Sequence, residues 1–327
     1  MTSFQGEIAA LSAACLWAIA SVVYGRLGER IPPVQLNFMK GIVAIALLLL
    51  TIVLSGELFP NIPPTPLCLI FLSGVVGIGL GDTVFFASIN TLGPRRALLM
   101  GTLAPPITAI GAMIFLQEKL NLSAWCGILL TILGVAWVVT ERTPEDGGDG
   151  GGGGHGGGGG QGGQGGDGGG GGRVSGAAMR LWWGIGFGVL AAIANALGAL
   201  FSRAAFSNTN ISPLWAALLR LSAGVLILLL WGLFFQPKNR TISYSDWRST
   251  RLIPAIIFAA FCGTYLGIWL QQIALKFTVA GIASTLLQTS PVFIIPIGIW
   301  LGEKVSWRAI AGVIIAIAGI GLLFYLN

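Results

Sequence analysis

The sequence predicts an all-α integral membrane protein in which ten transmembrane helices form two inverted five-helix repeats. Three observations predict it: the composition, the number of long apolar stretches, and a set of motifs that occurs twice. Of the 327 residues, 54% are hydrophobic and 9% are charged, whereas soluble domains carry about 25% charged residues. The mean hydropathy is +0.84. This composition excludes a disordered chain and an ordinary soluble enzyme, and it implies the lipid bilayer as a partner.

Each half of the chain contains five apolar stretches that are long enough, at about 1.5 Å per residue, to cross a hydrocarbon core of about 30 Å. In the first half we expect them near 8–25, 34–54, 67–91, 96–116 and 123–140, and in the second half near 181–203, 213–235, 253–276, 280–300 and 307–326. The first run has no basic segment before it and no small-residue cleavage site after it. We therefore expect a membrane span there and not a cleaved signal peptide.

A glycine tract separates the two halves. Of the 26 residues in 147–172, 21 are glycine, and such a segment cannot bury enough apolar surface to offset its ordering entropy. We expect a first repeat at 1–143, a flexible linker at 144–178 and a second repeat at 179–327.

The two halves share motifs at a constant spacing. The segment 116–120 (LQEKL) reappears at 301–305 (LGEKV), an offset of 185 residues. The same offset relates three further pairs of residues: Pro106 and Pro291, Gly127 and Gly312, and Gly134 and Gly319. Because five is an odd number of spans, the second repeat must enter the membrane in the opposite orientation. Many secondary transporters use this plan for alternating access.

The sequence also resembles a known family, the EamA family of the drug/metabolite transporter superfamily. The resemblance is carried by four segments of the second half, with a looser version at 104–106 and 117–119 in the first half. The four are 274–278 (ALKFT), 283–286 (ASTL), 290–293 (SPVF) and 301–304 (LGEK). It covers the chain except for the linker and the extreme ends. It implies ten helices, a central cavity between two EamA repeats, and transport of small metabolites, often amino acids and commonly outward. The long glycine linker, and a loop between the second and third helices without Lys or Arg, depart from the usual pattern.

Two cations lie within apolar spans, where an ionisable group is expensive and is by default a functional candidate. Lys40 and Arg220 each follow a proline by seven residues, Pro33 and Pro213, in the second helix of their repeat. They are candidates for gating residues or anchors of a substrate carboxylate, and snorkelling or a structural ion pair is the alternative. Because the repeats are inverted, we expect them toward opposite faces of the membrane.

Asp82 is the third charged residue clearly within a span, and it follows three closely spaced glycines. A buried carboxyl group can exchange a proton during a transport cycle, so protons are a possible coupling partner. A pairing with Lys40, or a bond to backbone near the glycines, is the structural alternative. The string GLGD also occurs in intramembrane aspartyl proteases, but these need a second aspartate, and no other predicted span contains one.

Further candidates for substrate binding are uncharged. Asn195, Gln271 and Gln288 carry amides that could bond a zwitterion or could join helices, and Trp17 could form a wall of the cavity or could only pack. The resemblance implies a cavity lined by helices 1, 3, 4, 6, 8 and 9. Pro105, Pro106 and Pro291 are hinge candidates, because proline removes a backbone donor and kinks a helix.

Other chemistry finds little support. The only histidine, His155, lies in the glycine tract, and the four cysteines have no metal-type spacing. We therefore expect no catalytic residues, no metal and no cofactor, and the chain contains no P-loop for direct coupling to ATP. Glu118 and Glu303 are expected to anchor the turns between helices 4 and 5 of each repeat.

The net charge of +6 does not indicate a nucleic-acid partner, because the 18 Lys and Arg residues are spread over many loops. Without Lys40 and Arg220, 16 remain, of which only Lys119, Arg203 and Lys276 lie in even-numbered loops. The positive-inside rule then places both termini outside, whereas the family resemblance implies the reverse. Both orientations remain open.

The sequence thus predicts a multi-pass cell-membrane permease that moves a small-molecule substrate by alternating access. Amino acids are one substrate class that fits. A nucleotide-sugar or organic-phosphate carrier, or a membrane scaffold or receptor that transports nothing, is the alternative.

Overall fold

The computed structural model describes residues 4–28, 31, 33–57, 60–92, 94–140, 170–207, 209–235, 252–300 and 306–325. All regular secondary structure in these ranges is helical. Nine of the described helices are long and apolar enough to cross a membrane, and a shorter apolar helix at Leu122–Trp137 supplies a tenth candidate. The predicted fold class, an all-helical membrane protein with two five-span repeats, is confirmed.

We number the ten spans in chain order. Those of the first repeat are span 1 at Gln5–Gly28, span 2 at Pro33–Ser55, span 3 in three pieces (Pro64–Ser73, Gly74–Gly81 and Asp82–Leu92), span 4 in two pieces (Pro94–Gly101 and Ala104–Phe115) and span 5 at Leu122–Thr140. Those of the second repeat are span 6 at Gly170–Phe206, span 7 at Pro213–Phe235, span 8 in three pieces (Leu252–Ala259, Ala260–Leu266 and Gly267–Phe277), span 9 in two pieces (Ala280–Leu287 and Ser290–Trp300) and span 10 at Trp307–Tyr325.

Span 6 begins earlier than the sequence predicts. Its helix starts at Gly170, inside the range expected to be linker. Residues 144–169 of that range, and the turn that contains Glu303, lie outside the described residues.

The interruptions of the helices repeat with the sequence offset. The middle pieces of spans 3 and 8, Gly74–Gly81 and Ala260–Leu266, are both π-helical, and we call them the two π segments. Spans 4 and 9 are both broken before a proline, since Pro105 lies in the first turn of Ala104–Phe115 and Pro291 in that of Ser290–Trp300. A proline at this position loses no helical hydrogen bond, because the first turn of a helix has no acceptor for its N–H groups.

Glycine residues allow helices of the two repeats to approach each other closely. A Cβ on Gly198 of span 6 would lie 2.9 Å from Cα of Gly77 in span 3, and one on Gly263 of span 8 would lie 2.7 Å from Cβ of Ala20 in span 1. The third span of each repeat therefore packs tightly on the first span of the other repeat. In a membrane, where burial of apolar side chains gives no advantage over lipid, such close contact is a main source of helix association.

The glycines that mark the repeat in sequence have the same role. Spans 5 and 10 cross where a Cβ on Gly134 would lie 2.7 Å from the carbonyl oxygen of Gly312, and one on Gly319 would lie 2.9 Å from that of Gly127. The spacing of these glycines is thus explained by contact between the two backbones.

Candidate functional site

A cavity of about 300 Å³ lies between the two repeats, and we call it the central cavity. It is lined by spans 1, 2 and 3 of the first repeat and by spans 6, 7 and 8 of the second. Its polar and aromatic lining side chains are Trp17, Tyr24, Asn37, Lys40, Asp82, Asn195, Arg220, Thr264 and Gln271. The expectation that spans 4 and 9 line the site is wrong for this cavity. Their places are taken by spans 2 and 7, which carry the two cations.

Both π segments form part of the cavity wall. Gly77 and Ile78 belong to the first, and Gly263 and Thr264 belong to the second. A π-helical turn interrupts the regular i→i−4 bonding and is frequent at functional sites. Side chains of span 1 bond carbonyl groups in and beside the second π segment: Trp17 Nε1 donates to the Gly263 oxygen at 2.8 Å, and Tyr24 Oη donates to the Ala259 oxygen at 2.8 Å.

Arg220 is the most deeply buried ionisable group at the cavity, with 3% of its surface exposed. Its Nη1 donates to Ser202 Oγ at 3.2 Å, and among the described residues its Nε has no hydrogen-bond partner. The guanidinium lies against the first π segment, where a Cβ on Gly77 would approach Nη2 to 3.1 Å. A buried guanidinium with a single neutral partner keeps unused donors, and such a group can bind a carboxylate or a phosphate in two places at once.

Lys40 occupies the equivalent position in the first repeat. Its Nζ lies 5.2 Å from the centre of the Tyr24 ring, close enough for a cation–π interaction. The hydroxyl of Tyr24 lies 3.2 Å from Thr264 Oγ1. In both repeats, therefore, the cation of the second span contacts a side chain of a first span, Tyr24 for Lys40 and Ser202 for Arg220.

Both cations line the central cavity. They can share it because spans 2 and 7 contact each other: a Cβ on Gly41 of span 2 would meet the side chain of Val225 in span 7 at 2.5 Å. The expectation that they lie toward opposite faces of the membrane concerns their depth and stays a prediction.

Asp82 begins the helix directly after the first π segment. In the described part of the chain, its carboxylate accepts no hydrogen bond, and no nitrogen of Lys40 or Arg220 lies within 4.0 Å of it. The predicted structural role, a direct ion pair with Lys40, is therefore not seen. With all three groups ionised, the cavity carries one net positive charge, and its positive and negative groups are not joined to each other.

The position equivalent to Asp82 in the second repeat is Gly267. The indole of Trp17 occupies the space that a side chain there would need, since a Cβ would lie 2.8 Å from Cδ1 of the ring. Trp17 thus fills the second-repeat side of the cavity while Asp82 supplies charge on the first-repeat side.

The amide candidates divide into two groups. Asn195 and Gln271 line the cavity, although Asn195 Nδ2 also donates to the Ala191 oxygen one turn earlier, at 3.0 Å. Gln288 does not line it. Its Nε2 donates to the Gly101 oxygen at 3.1 Å, and so it bridges the break in span 9 to the break in span 4. Pro105, Pro106 and Pro291 lie at these two breaks and not at the cavity.

Our sequence reasoning did not select Tyr24 or Thr264 as site residues. Both become recognisable from the structure, because Tyr24 is the partner of Lys40 as Ser202 is the partner of Arg220 and Thr264 lies in a π segment. Asn37, which is buried and lines the cavity, lies one turn before Lys40. Its position relative to that cation is the signal that could have identified it.

A second depression, of about 560 Å³, lies at the end of the molecule where spans 2 and 6 end. It is lined by Glu57, Trp215 and the segments 60–63 and 209–212. It contains no cation and is formed by connecting segments, so we place the chemistry in the smaller central cavity. In the described ranges no cluster of His, Cys, Asp and Glu could hold a metal ion.

Comparison with known proteins agrees with this architecture. The model of the EamA-like transporter family matches residues 4–140 and 182–325. A protein named "Uncharacterized transporter YvbV", from Bacillus subtilis (strain 168), is 29% identical over 149 residues, which are 44% of this chain and 47% of that protein. The match thus spans about half the length of that relative. One crystal structure, described only as that of a protein, has a TM-score of 0.73 at 15% identity and covers 98% of this chain and 96% of its own.

Proposed function

The chain belongs to the EamA-like transporter family, and from the geometry of its cavity we propose that it moves a small carboxylate-bearing metabolite by alternating access. The observation that supports this is the convergence of Lys40 and Arg220 on one cavity between inverted repeats. Two cations with free donors suit an anionic group, and the net positive charge of the cavity favours an anion or a zwitterion over a cation.

The size of the cavity restricts the substrate. Ligand pockets range over about 300–1,000 Å³, and the central cavity, at about 300 Å³, is at the lower end. This favours a metabolite of the size of an amino acid. A carboxylate would bind between Arg220 and Lys40, and an ammonium group on the same molecule would be attracted to Asp82, which has no direct partner in the described residues.

Uptake into proteoliposomes tests the proposal. Separate vesicle preparations would be loaded with unlabelled amino acids, organic acids, nucleosides, sugars or cationic drugs. The labelled form of the same compounds would then be added outside. We expect saturable counterflow for a carboxylate-bearing class and none for cationic drugs. No flux for any class, from protein shown to be folded, would instead favour a scaffold or receptor.

A small organic phosphate is a second candidate, and the convergence of the two cations favours it as well. A phosphate carries more charge than a carboxylate and would make fuller use of both. The same panel separates the two classes if phosphate esters are included. A nucleotide-sugar fits less well, because it would need a larger cavity than the one observed.

Asp82 is our candidate for proton coupling. Asp82→Asn keeps the size of the side chain and removes the exchangeable proton. We expect this variant to lose substrate flux driven by a pH step while substrate exchange at equal pH continues. If the flux driven by a pH step is unchanged in this variant, Asp82 is not the coupling residue.

We place the transporter in the cell membrane, where an exporter or importer of metabolites acts. The chain itself would require no cofactor. The partners we propose are the substrate, the bilayer and, if Asp82 couples transport to the proton gradient, protons.

A further inference from the structure

Glu118, in the turn between spans 4 and 5, joins the two repeats at one end of the molecule. Its Oε1 accepts a charge-assisted hydrogen bond from Arg203 Nε of span 6 at 2.5 Å. Its Oε2 accepts the backbone N–H of Ala280, the first residue of span 9, at 2.9 Å. One carboxylate of the first repeat is thus bound to two spans of the second.

Arg203 also binds the end of span 8. Its Nη1 donates to the backbone oxygens of Leu275 and Lys276, at 3.0 and 2.7 Å, and Lys276 Nζ donates to the Ile211 oxygen, between spans 6 and 7, at 2.8 Å. Two of these contacts match charge to a helix end, because the Glu118 carboxylate meets the N-terminus of span 9 and the Arg203 guanidinium meets carbonyls at the C-terminus of span 8. We call Glu118, Arg203 and Lys276, with these backbone partners, the clamp.

Between the clamp and the central cavity lies a layer of buried apolar side chains. Gln271 is the last residue of span 8 at the cavity, and Ala274 and Leu275, one turn later, are fully buried. Ile282 and Leu286 of span 9 are fully buried in the same cluster. Substrate could pass through this end only if the spans that the clamp joins moved apart.

The ion pair in the clamp is largely buried, because the side chains of Arg203 and Glu118 keep only 22% and 12% of their surface exposed. Removal of one partner would leave the other charge buried and uncompensated, so the pair holds the two repeats together while both partners are present. An ion pair between the two repeats can stabilise one of two conformations, since it forms in the closed conformation and is broken in the open one.

We propose that Glu118 is a gating residue, and that the clamp holds the central cavity closed at this end and opens once in each transport cycle. This inference rests on the proposed alternating access, but not on the identity of the substrate. Two of the three cations of the even-numbered loops, Arg203 and Lys276, are then gate residues.

The distance across the clamp can be measured directly. After replacement of the free cysteines Cys15, Cys68, Cys126 and Cys262 by alanine, spin labels at Asn121→Cys and Ser207→Cys, both exposed positions, would report the separation of the repeats by electron–electron resonance. We expect one short-distance population with the clamp intact. Glu118→Gln should add a longer-distance population and raise the ratio of open to closed molecules at least about fivefold.

Matched variants separate gating from folding. Lys119→Gln removes a neighbouring exposed charge outside the clamp and should leave the distances unchanged. Arg203→Lys keeps the charge but loses the fork that binds Glu118 and two carbonyls together, and we expect it to open the clamp less than Glu118→Gln does.

Kinetics give a second readout that a structural role would not change. In vesicles with a single orientation, Glu118→Gln should raise the half-saturation concentration measured from one face and lower it from the other. Unchanged distance distributions in folded Glu118→Gln and Arg203→Lys protein would overturn the gating role. Because the distances need no substrate, a failed transport assay with a moving clamp would instead count against the proposed substrate class.

Discussion

Replacing Arg220 tests the proposed substrate site most directly. The Arg220→Gln variant keeps a polar side chain that can still bond Ser202, but it removes the positive charge and the fork of donors. The variant should fold, because Gln can keep the hydrogen bond to Ser202 and because it removes a buried charge that forms no direct ion pair in the described residues. We expect the loss to appear in substrate binding.

The magnitude follows from the contacts that the substrate would lose. Arg220 bonds Ser202 through Nη1, and its Nε has no partner in the described residues, so we expect its guanidinium to offer one or two hydrogen bonds to a bound carboxylate. A hydrogen bond to a charged group contributes about 1.5–3 kcal/mol, and a factor of ten in affinity corresponds to about 1.4 kcal/mol. Loss of one such bond therefore raises the half-saturation concentration by about 10- to 150-fold, and loss of both approaches the upper value or exceeds it.

The assay is counterflow in proteoliposomes with a carboxylate substrate and with its amide, in which the carboxylate is neutral. Arg220→Gln should weaken transport of the carboxylate strongly and that of the amide little. Arg220→Lys, which keeps the charge and loses the fork, should give an intermediate value. Lys119→Gln removes one positive charge outside the cavity and is the matched control for net charge.

The reasoning fails if Arg220→Gln, shown to be folded and monodisperse, retains the half-saturation concentration of the parent protein for the carboxylate. It also fails if the carboxylate and its amide are affected equally. In that case Arg220 would be a structural group between span 7 and the first π segment, and the substrate would have to be held by Lys40 alone.

Three further predictions concern the scaffold. Gly198→Ala should destabilise the protein by about 1–3 kcal/mol, because its methyl group would overlap Gly77, whereas Gly186→Ala in the same helix has open space and should raise the melting temperature slightly. Gln117 has a positive φ of 55°, so Gln117→Val should lower the free energy of unfolding by about 1–2 kcal/mol, and Gln117→Gly, which copies the glycine of the second repeat, should be tolerated. Shortening 147–172, whose last three residues begin the helix of span 6, to about ten residues should leave transport intact, since the glycine composition predicts a segment that only connects the repeats. A folded but inactive deletion would show that the linker takes part in transport.

The arrangement of the spans was predictable because the signals are long and redundant. Ten apolar stretches and a repeated offset of 185 residues specify the number and order of helices without knowledge of any contact. The glycine pairs that carry the offset turned out to be contact points of spans 5 and 10, where only a missing side chain permits the approach.

The π segments could not be predicted, because their sequences differ. Gly74–Gly81 contains four glycines, whereas Ala260–Leu266 contains one, Gly263. The two segments share a tertiary position, each packed on the first span of the other repeat, and this contact was not visible in the sequence.

The direction in which a side chain points also could not be predicted from the sequence. Gln288 has the residue type of a substrate ligand but points across the break in span 4. The sequence also did not reveal that Lys40 and Arg220 line one cavity, because this depends on how closely spans 2 and 7 approach.

The charged groups of the cavity differ in symmetry, which suggests one role for Lys40 and Arg220 and another for Asp82. In an inverted-repeat transporter the two repeats exchange conformations between the two open states, so groups at equivalent positions offer the substrate a similar environment in both. Lys40 and Arg220 satisfy this condition, and a carboxylate held between them need not be released when the gate at the clamp changes. Asp82 does not satisfy it, because Gly267 and the Trp17 indole replace it in the other repeat. We therefore propose that the environment of Asp82 differs between the two open states, which is the requirement for a group that takes up a proton on one side and releases it on the other.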